Sequence, residues 1–114
     1  MVDEPEQMMF HAKMYEIGEK YVVGGLKELA REKFKRSCDS HWDTPHFAAA
    51  VRYVFSSTAE DDTGLRNITI KTISTHINVL NKPEINALLN EFNDLAVGLL
   101  EGNAALLRWD RASA

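Results

Sequence analysis

The sequence predicts an all-α protein, folded as one domain over residues 1–114 and built as a five-helix bundle. Two observations favour this class. Apolar residues recur at spacings of three and four along most of the chain, which is the period of an α-helix. Proline or paired glycines stand where that pattern stops, as expected at helix ends. A chain of this length can bury a modest hydrophobic core without disulfides or bound metal ions.

The first two helices are predicted to form a hairpin over residues 8–40. The pair Gly24-Gly25 marks a tight reversal between them, because glycine adopts backbone angles that other residues resist. On the first helix the spacing predicts a buried face made of Phe10, Met14, Ile17 and Tyr21. On the second helix the expected buried face consists of Leu26, Leu29, Ala30, Phe34 and Cys38.

Three further helices are predicted over about residues 44–110. Thr44 followed by Pro45 reads as a helix N-cap with proline at the first helical position, and Phe47, Val51, Val54 and Phe55 follow as the apolar side. Residues 65–80 are rich in β-branched side chains, yet Ile70, Ile73, Ile77 and Leu80 keep helical spacing, so we expect one helix. The last helix starts at Pro83 and runs to about Leu100, with an apolar side of Ile85, Leu88, Leu89, Phe92, Leu95, Ala96 and Leu99.

Composition excludes several classes of function. The net charge of −4 argues against nucleic acid as a main partner, because phosphate binding needs a clustered basic surface. The one basic concentration, Lys33, Lys35 and Arg36, is expected to form a solvated helix face. No apolar run reaches membrane-spanning length, no signal-peptide layout is present, and the single Cys38 suits a reducing compartment. We therefore expect an intracellular protein, cytoplasmic or nuclear, with no membrane partner.

No pattern predicts catalytic, cofactor-binding or metal-binding residues. His41, Asp43 and His46 come closest to a metal site, but no fourth ligand is evident, and exposed turn residues are the favoured interpretation. His76 lacks the neighbours of a phosphoacceptor histidine. The acidic run Ala59–Asp62 lies in a polar loop with nothing to desolvate its carboxylates. We expect a protein that is not an enzyme and needs no cofactor.

The stretch "MYEIGEKYVVGGLKELAREKF" (residues 14–34) resembles the C-terminal helical hairpin of a BTB/POZ domain of fungal type. The similarity extends through "HWDTPHFAAAVRYVFSST", "DDTGLRNITIKTIS" and "LLNEFNDLAVGLL". Departures include Gly18 for alanine, Glu19 for aspartate, Val22 for a polar residue and Gly24 for proline. The family's sheet and dimer-forming elements have no counterpart before Phe10. The resemblance implies the end of a BTB domain plus its helical extension, and no cullin-binding residue carries over.

These observations predict a protein–protein interaction module, a BTB-related adaptor or oligomerisation element. Its apolar helix faces exceed what so short a chain can shelter, so we expect a homo-oligomer, a dimer first of all, or a separate protein partner; a cullin-type ligase follows from the resemblance alone. The expected contact residues are Val22, Val23, Leu106, Leu107 and Trp109. The alternative is a small metal-binding or regulatory helical protein that uses His41, Asp43 and His46, or that offers the acidic loop Glu60–Asp62 to a basic partner.

Overall fold

The computed structural model describes residues 4–101, and within them the chain is helical with no strand. The all-α class is therefore confirmed. The prediction of five helices is not, because two of the expected helices are interrupted and the described residues hold more helical segments. In chain order these are α1 (Gln7–Tyr21), α2 (Leu26–His41), α3 (Pro45–Ser57), α4 (Gly64–Thr75), the short 3-10 helix η1 (Ile77–Asn81) and α5 (Pro83–Glu91). Residues 93–101 are helical again, here called α6.

The predicted reversal between α1 and α2 is confirmed. Val22 ends α1 in the left-handed region, with φ 52° and ψ 47°, and Gly25 has φ 81°. The Val23 N–H donates to the Gly18 carbonyl over 3.2 Å, which satisfies one of the last carbonyls of α1. Gly25 takes its positive φ without steric cost, whereas a β-branched residue in the left-handed region is strained. The turn therefore stores strain at Val22.

The start of α3 lies where the Thr44-Pro45 pair predicts it, although Thr44 does not cap it through its side chain. Thr44 has extended backbone angles and Pro45 occupies the first turn, as expected. The Thr44 hydroxyl, however, donates to the His41 carbonyl over 2.8 Å. The side chain thus closes the end of α2 instead of the beginning of α3.

Two helices predicted as continuous are broken, and an aromatic contact lies at each break. His76 separates α4 from η1 with φ −118° and ψ 59°, and its ring stacks on Trp42 with centroids 3.8 Å apart. Phe92 separates α5 from α6 with φ −120° and ψ 102°, and its ring lies 6.0 Å from that of Phe55. Aromatic pairs of this kind stabilise by about 1 kcal/mol beyond their burial. At both positions the helix therefore ends beside a tertiary contact, although the apolar period in the sequence continues past it.

The core is centred on α3, which contacts α1, α2, α4 and α5. Its predicted apolar face is confirmed, since all four expected residues are buried. The core also takes the predicted Ala30, Phe34 and Cys38 from α2. The remaining predicted residues that are buried are Ile73, Ile85, Leu88, Leu95 and Leu99, and Met8, Ala12, Tyr15, Ala48, Ala50, Leu65, Ile68 and Val79 complete the core.

The predicted buried face of α1 is wrong. Phe10 is 57% exposed, Ile17 40% and Tyr21 65%, and Met14 alone of the expected set packs against the core. The side that faces the protein consists instead of Met8, His11, Ala12, Tyr15 and Gly18. Small residues let α1 approach α2 closely, and the polar atoms of the buried side find partners. A buried face that mixes apolar, polar and small residues cannot be predicted from the spacing of hydrophobic residues alone. Leu29 of α2, also expected inside, is exposed as well.

Gly18 lies at the closest approach of α1 and α2. A methyl group at this position would lie 2.8 Å from the Lys27 backbone nitrogen and 3.1 Å from its Cα. Backbone atoms cannot yield as the end of a side chain can. The close contact therefore explains why residue 18 is glycine.

Gly18→Ala is expected to lower the free energy of unfolding by about 1–2 kcal/mol, because overpacking exceeds the gain in helix propensity. Urea denaturation measures the change. Gly24→Ala is the matched control, since an added methyl group there meets nothing within 4 Å and the backbone φ is unstrained. Equal stability of the two variants would show that the helices do not meet at Gly18.

Arg66 joins the end of α3 to α4 and α6 from a buried position. Its Nε donates to the Thr58 hydroxyl over 2.8 Å and its Nη2 to the Thr58 carbonyl over 2.9 Å. Its Nη1 pairs with Asp94 at 3.1 Å, and the guanidinium lies 4.8 Å from the centroid of the Phe55 ring. The cation thereby satisfies carbonyl and hydroxyl groups that the end of α3 leaves open.

Arg66→Met is expected to cost about 1–3 kcal/mol of stability, because it leaves the buried Phe55 carbonyl and the partly buried Thr58 carbonyl without this donor. Arg52→Met is the control, since Arg52 forms an exposed ion pair with Glu91 that should contribute less than about 1 kcal/mol. Thermal or urea unfolding of both variants gives the comparison. A loss at Arg66 no larger than at Arg52 would contradict the assigned role.

Candidate interaction surface

Helix α1 carries a second apolar row on the side turned away from the core. Phe10, Ile17 and Tyr21 are spaced by seven and four residues, so they lie on one side of the helix. That side is about a third of a turn from the buried row and about 16 Å long. Val22, which is 87% exposed, and Val23 follow directly in the chain. These five residues are called the α1 stripe.

Charged and aromatic side chains border the α1 stripe. Glu16 accepts a hydrogen bond from the Tyr53 hydroxyl of α3, and the Lys13 ammonium lies 5.8 Å from the centroid of the Tyr53 ring. Lys20 lies 5.6 Å from the Tyr21 ring centroid. Together they form a shallow groove of about 260 Å³ beside the stripe, lined by Lys13, Glu16, Ile17, Lys20, Tyr21 and Tyr53. The surface is an apolar row with a polar rim, which is the composition of protein interfaces.

A polar network fixes the rotation of α1 and so keeps the stripe outward. The Tyr15 hydroxyl donates to Asp62 over 2.6 Å, and Lys27 of α2 lies 3.6 Å from the same carboxylate. Lys27 also pairs with Glu19 and lies 5.0 Å from the centroid of the Tyr15 ring. Burial, followed by the neighbouring Asp62, raises the pKa of Tyr15 to about 12. Tyr15 therefore stays a proton donor at neutral pH.

The same network corrects one expectation about the acidic loop. Asp62 is half-buried and holds Tyr15, so it is not a carboxylate left in a polar loop without neighbours. Glu60 and Asp61 remain exposed. The pairing joins residues 47 positions apart, and no local pattern in the sequence indicates it.

The structure places Val22 and Val23 on the surface, at the C-terminal end of the α1 stripe. Leu106, Leu107 and Trp109, the other predicted contact residues, lie outside the described residues. The three residues of the metal hypothesis are not brought together as a binding group. Asp43 pairs with Lys82, His46 is exposed in the first turn of α3, and His41 is the last residue of α2. In residues 4–101 no group of three His, Cys, Asp or Glu residues could hold a metal ion.

Two further candidate groups, His76 and Cys38, are held in packing contacts. His76 is half-buried and stacked on Trp42. Cys38 is fully buried, as the sequence predicts. Its burial, with a further effect of the negative Asp39, raises the pKa of the thiol far above its ordinary range. A thiol in this state is a poor nucleophile.

Comparison of the chain with models of protein families, with curated proteins and with solved structures finds no match. None of the helices between residues 4 and 101 combines the length and apolar character needed to cross a membrane. The resemblance to the BTB/POZ hairpin stays a hypothesis drawn from the sequence. A proposal about the function of this protein must therefore rest on the surface of the described residues.

Tyr15→Phe is expected to lower stability by about 1–2 kcal/mol and to weaken its dependence on alkaline pH. The folded chain holds the Tyr15 proton more tightly than the unfolded chain does. Its contribution is therefore complete below pH 10.0 and is lost as the pH rises toward about 12. Urea denaturation from pH 7 to 11 measures the slope, with Tyr21→Phe at the exposed tyrosine as control. An unchanged slope in Tyr15→Phe would contradict the network.

Proposed function

We propose that the protein is a non-enzymatic interaction module that self-associates through the α1 stripe. The observation that carries this proposal is a helix with two apolar rows, of which only one faces the core. Phe10, Ile17 and Tyr21 are at least 40% exposed on a helix that the core already holds in place. A helix that served the core alone would need no second row.

Burying the α1 stripe against a partner would contribute favourably to the free energy of association. At about 25 cal/mol per Å² of apolar area, burying the exposed parts of five such side chains contributes several kcal/mol. Aromatic residues such as Phe10 and Tyr21 are also enriched among those that dominate interface energies. Association has its own entropic cost, so the net result is a complex of moderate affinity rather than a permanent one.

A second copy of this chain is the occupant that the stripe fits best. A two-fold axis places the same patch on both partners, and two identical rows match each other in length and apolar character. The row has no charge within it, and its charged rim contains Lys13, Glu16 and Lys20, so both signs meet at the border of a paired surface. A different protein partner is the competing outcome of the experiment below.

The resemblance to the BTB/POZ hairpin gives independent support for a role in assembly. Within that family the hairpin belongs to adaptor and oligomerisation domains, and the resemblance alone raises a cullin-type ligase as a partner. A cytoplasmic or nuclear location agrees with the acidic composition and the single buried Cys38. The resemblance also supports the absence of catalytic activity that we propose.

Ile17→Glu is expected to weaken self-association by at least about tenfold, because it buries a charge at the centre of the paired surface. Sedimentation velocity over micromolar concentrations measures the dimerisation constant. Ile77→Glu is the matched control, since Ile77 is 46% exposed against 40% for Ile17 and belongs to η1. A wild-type chain that stays monomeric throughout would overturn self-association. Pull-down of another protein that depends on Ile17 would then assign the stripe to that partner.

Val22→Gly is expected to separate folding from association. Relief of the strained left-handed backbone should raise the free energy of unfolding by about 1 kcal/mol. Loss of the exposed side chain should weaken association at the same time. A variant that is more stable yet associates less cannot be explained by damage to the fold. Undiminished association would remove Val22 from the interface.

A further inference from the structure

A groove of about 270 Å³ lies between α2 and α4, away from the α1 stripe. Its two walls are polar rows with a spacing of four residues on each helix. The row on α2 consists of Arg31, Lys35 and Asp39, and the row on α4 consists of Asn67, Lys71 and Thr75. Residues four apart share one side of a helix, so each row faces the groove along two turns.

The two rows advance in the same direction along the groove. The Cys38 thiol contacts the Thr72 hydroxyl, and four residues further on each helix the Trp42 ring stacks on His76. Arg31 and Asn67 therefore lie toward one end, and Asp39 and Thr75 toward the other. Buried Ile68 and Thr72 also line the groove, as does His76, held by its stack on Trp42.

Charge is distributed unevenly between the two ends. Arg31, Lys35 and Lys71 make no ion pair with any residue between 4 and 101, whereas Arg36 and Arg52 are each paired with a glutamate. Three cations without an ion-pair partner in residues 4–101 thus line one groove from two helices, in a protein whose net charge is −4. Asp39 supplies the only carboxylate among the lining residues. The groove has a cationic part and an acceptor at its far end.

We propose that this groove binds a small phosphate monoester that carries a hydroxyl or amino group at its other end. A phosphate dianion offsets the charges of Lys35 and Lys71 and accepts from the guanidinium of Arg31. Asp39 repels a second anionic group and accepts a hydrogen bond from a hydroxyl or an ammonium. The volume of about 270 Å³ lies just below the usual range for small-molecule sites, so the ligand is a compact metabolite and not a nucleic acid, whose next phosphate would meet Asp39.

Titration of the ¹⁵N-labelled protein with O-phosphoethanolamine tests this assignment, at constant ionic strength and with inorganic phosphate and ethanolamine as comparison ligands. Amide shifts are expected at residues 31–39 and 67–76. O-phosphoethanolamine should bind about tenfold more tightly than inorganic phosphate, because it alone uses both ends of the groove. Shifts spread over the whole surface, or none, would overturn the proposal.

Charge variants then separate the two ends. The double variant Lys35→Gln, Lys71→Gln should lower affinity for O-phosphoethanolamine and for inorganic phosphate by at least about tenfold. Asp39→Asn should instead remove most of the preference for O-phosphoethanolamine. The matched control is Lys33→Gln, Arg36→Gln, which removes the same charge from α2 outside the groove. Equal losses in the control would reduce the effect to net charge and contradict a site. Circular dichroism verifies that all variants are folded.

Discussion

The close approach of α1 to α2 at Gly18 is the constraint on which the rest of the structure depends. Glycine there lets the backbones meet, with the backbone nitrogen of Lys27 directly opposite. Tyr15 and Lys27 then fix the rotation of α1 through the carboxylate of Asp62, which both of them contact. With α1 held in this way, the side that carries Met8, Ala12, Tyr15 and Gly18 faces the core. Phe10, Ile17 and Tyr21 lie on the other side of the helix, and the α1 stripe is the direct result.

This arrangement also explains what could and could not be predicted from the sequence. The all-α class, the hairpin turn and the start of α3 follow from glycine, proline and the helical period, which are local signals. The apolar faces of α3 and α5 follow from the same period, because there the largest residues are also the buried ones. On α1 the large apolar residues are not all buried. Ala12 and Gly18 lie inside because space is short, and Phe10 and Tyr21 lie outside.

The other errors have long-range causes. The stack of His76 on Trp42 lies where α4 ends, and the contact of Phe92 with Phe55 lies where α5 ends. Neither pairing leaves a trace in the local pattern, since the partners are distant in the chain. The groove between α2 and α4 cannot be predicted from the sequence for the same reason. Lys35 is exposed, as the sequence predicts, and only the packing of α4 beside α2 brings Lys71 to the same groove. These surface charges form a candidate site only because the two helices pack side by side.

The α1 stripe includes Phe10, Ile17 and Tyr21, which the helical period assigns to the core and which the structure leaves exposed. The most direct test is hydroxyl-radical footprinting of the α1 stripe at two protein concentrations. Phe10 and Tyr21 should react readily in dilute solution and become protected as concentration rises, while exposed Leu29 keeps its reactivity. Protection of both aromatic rings that is complete and independent of concentration would show that the chain buries the stripe by itself, and would contradict the open face of α1.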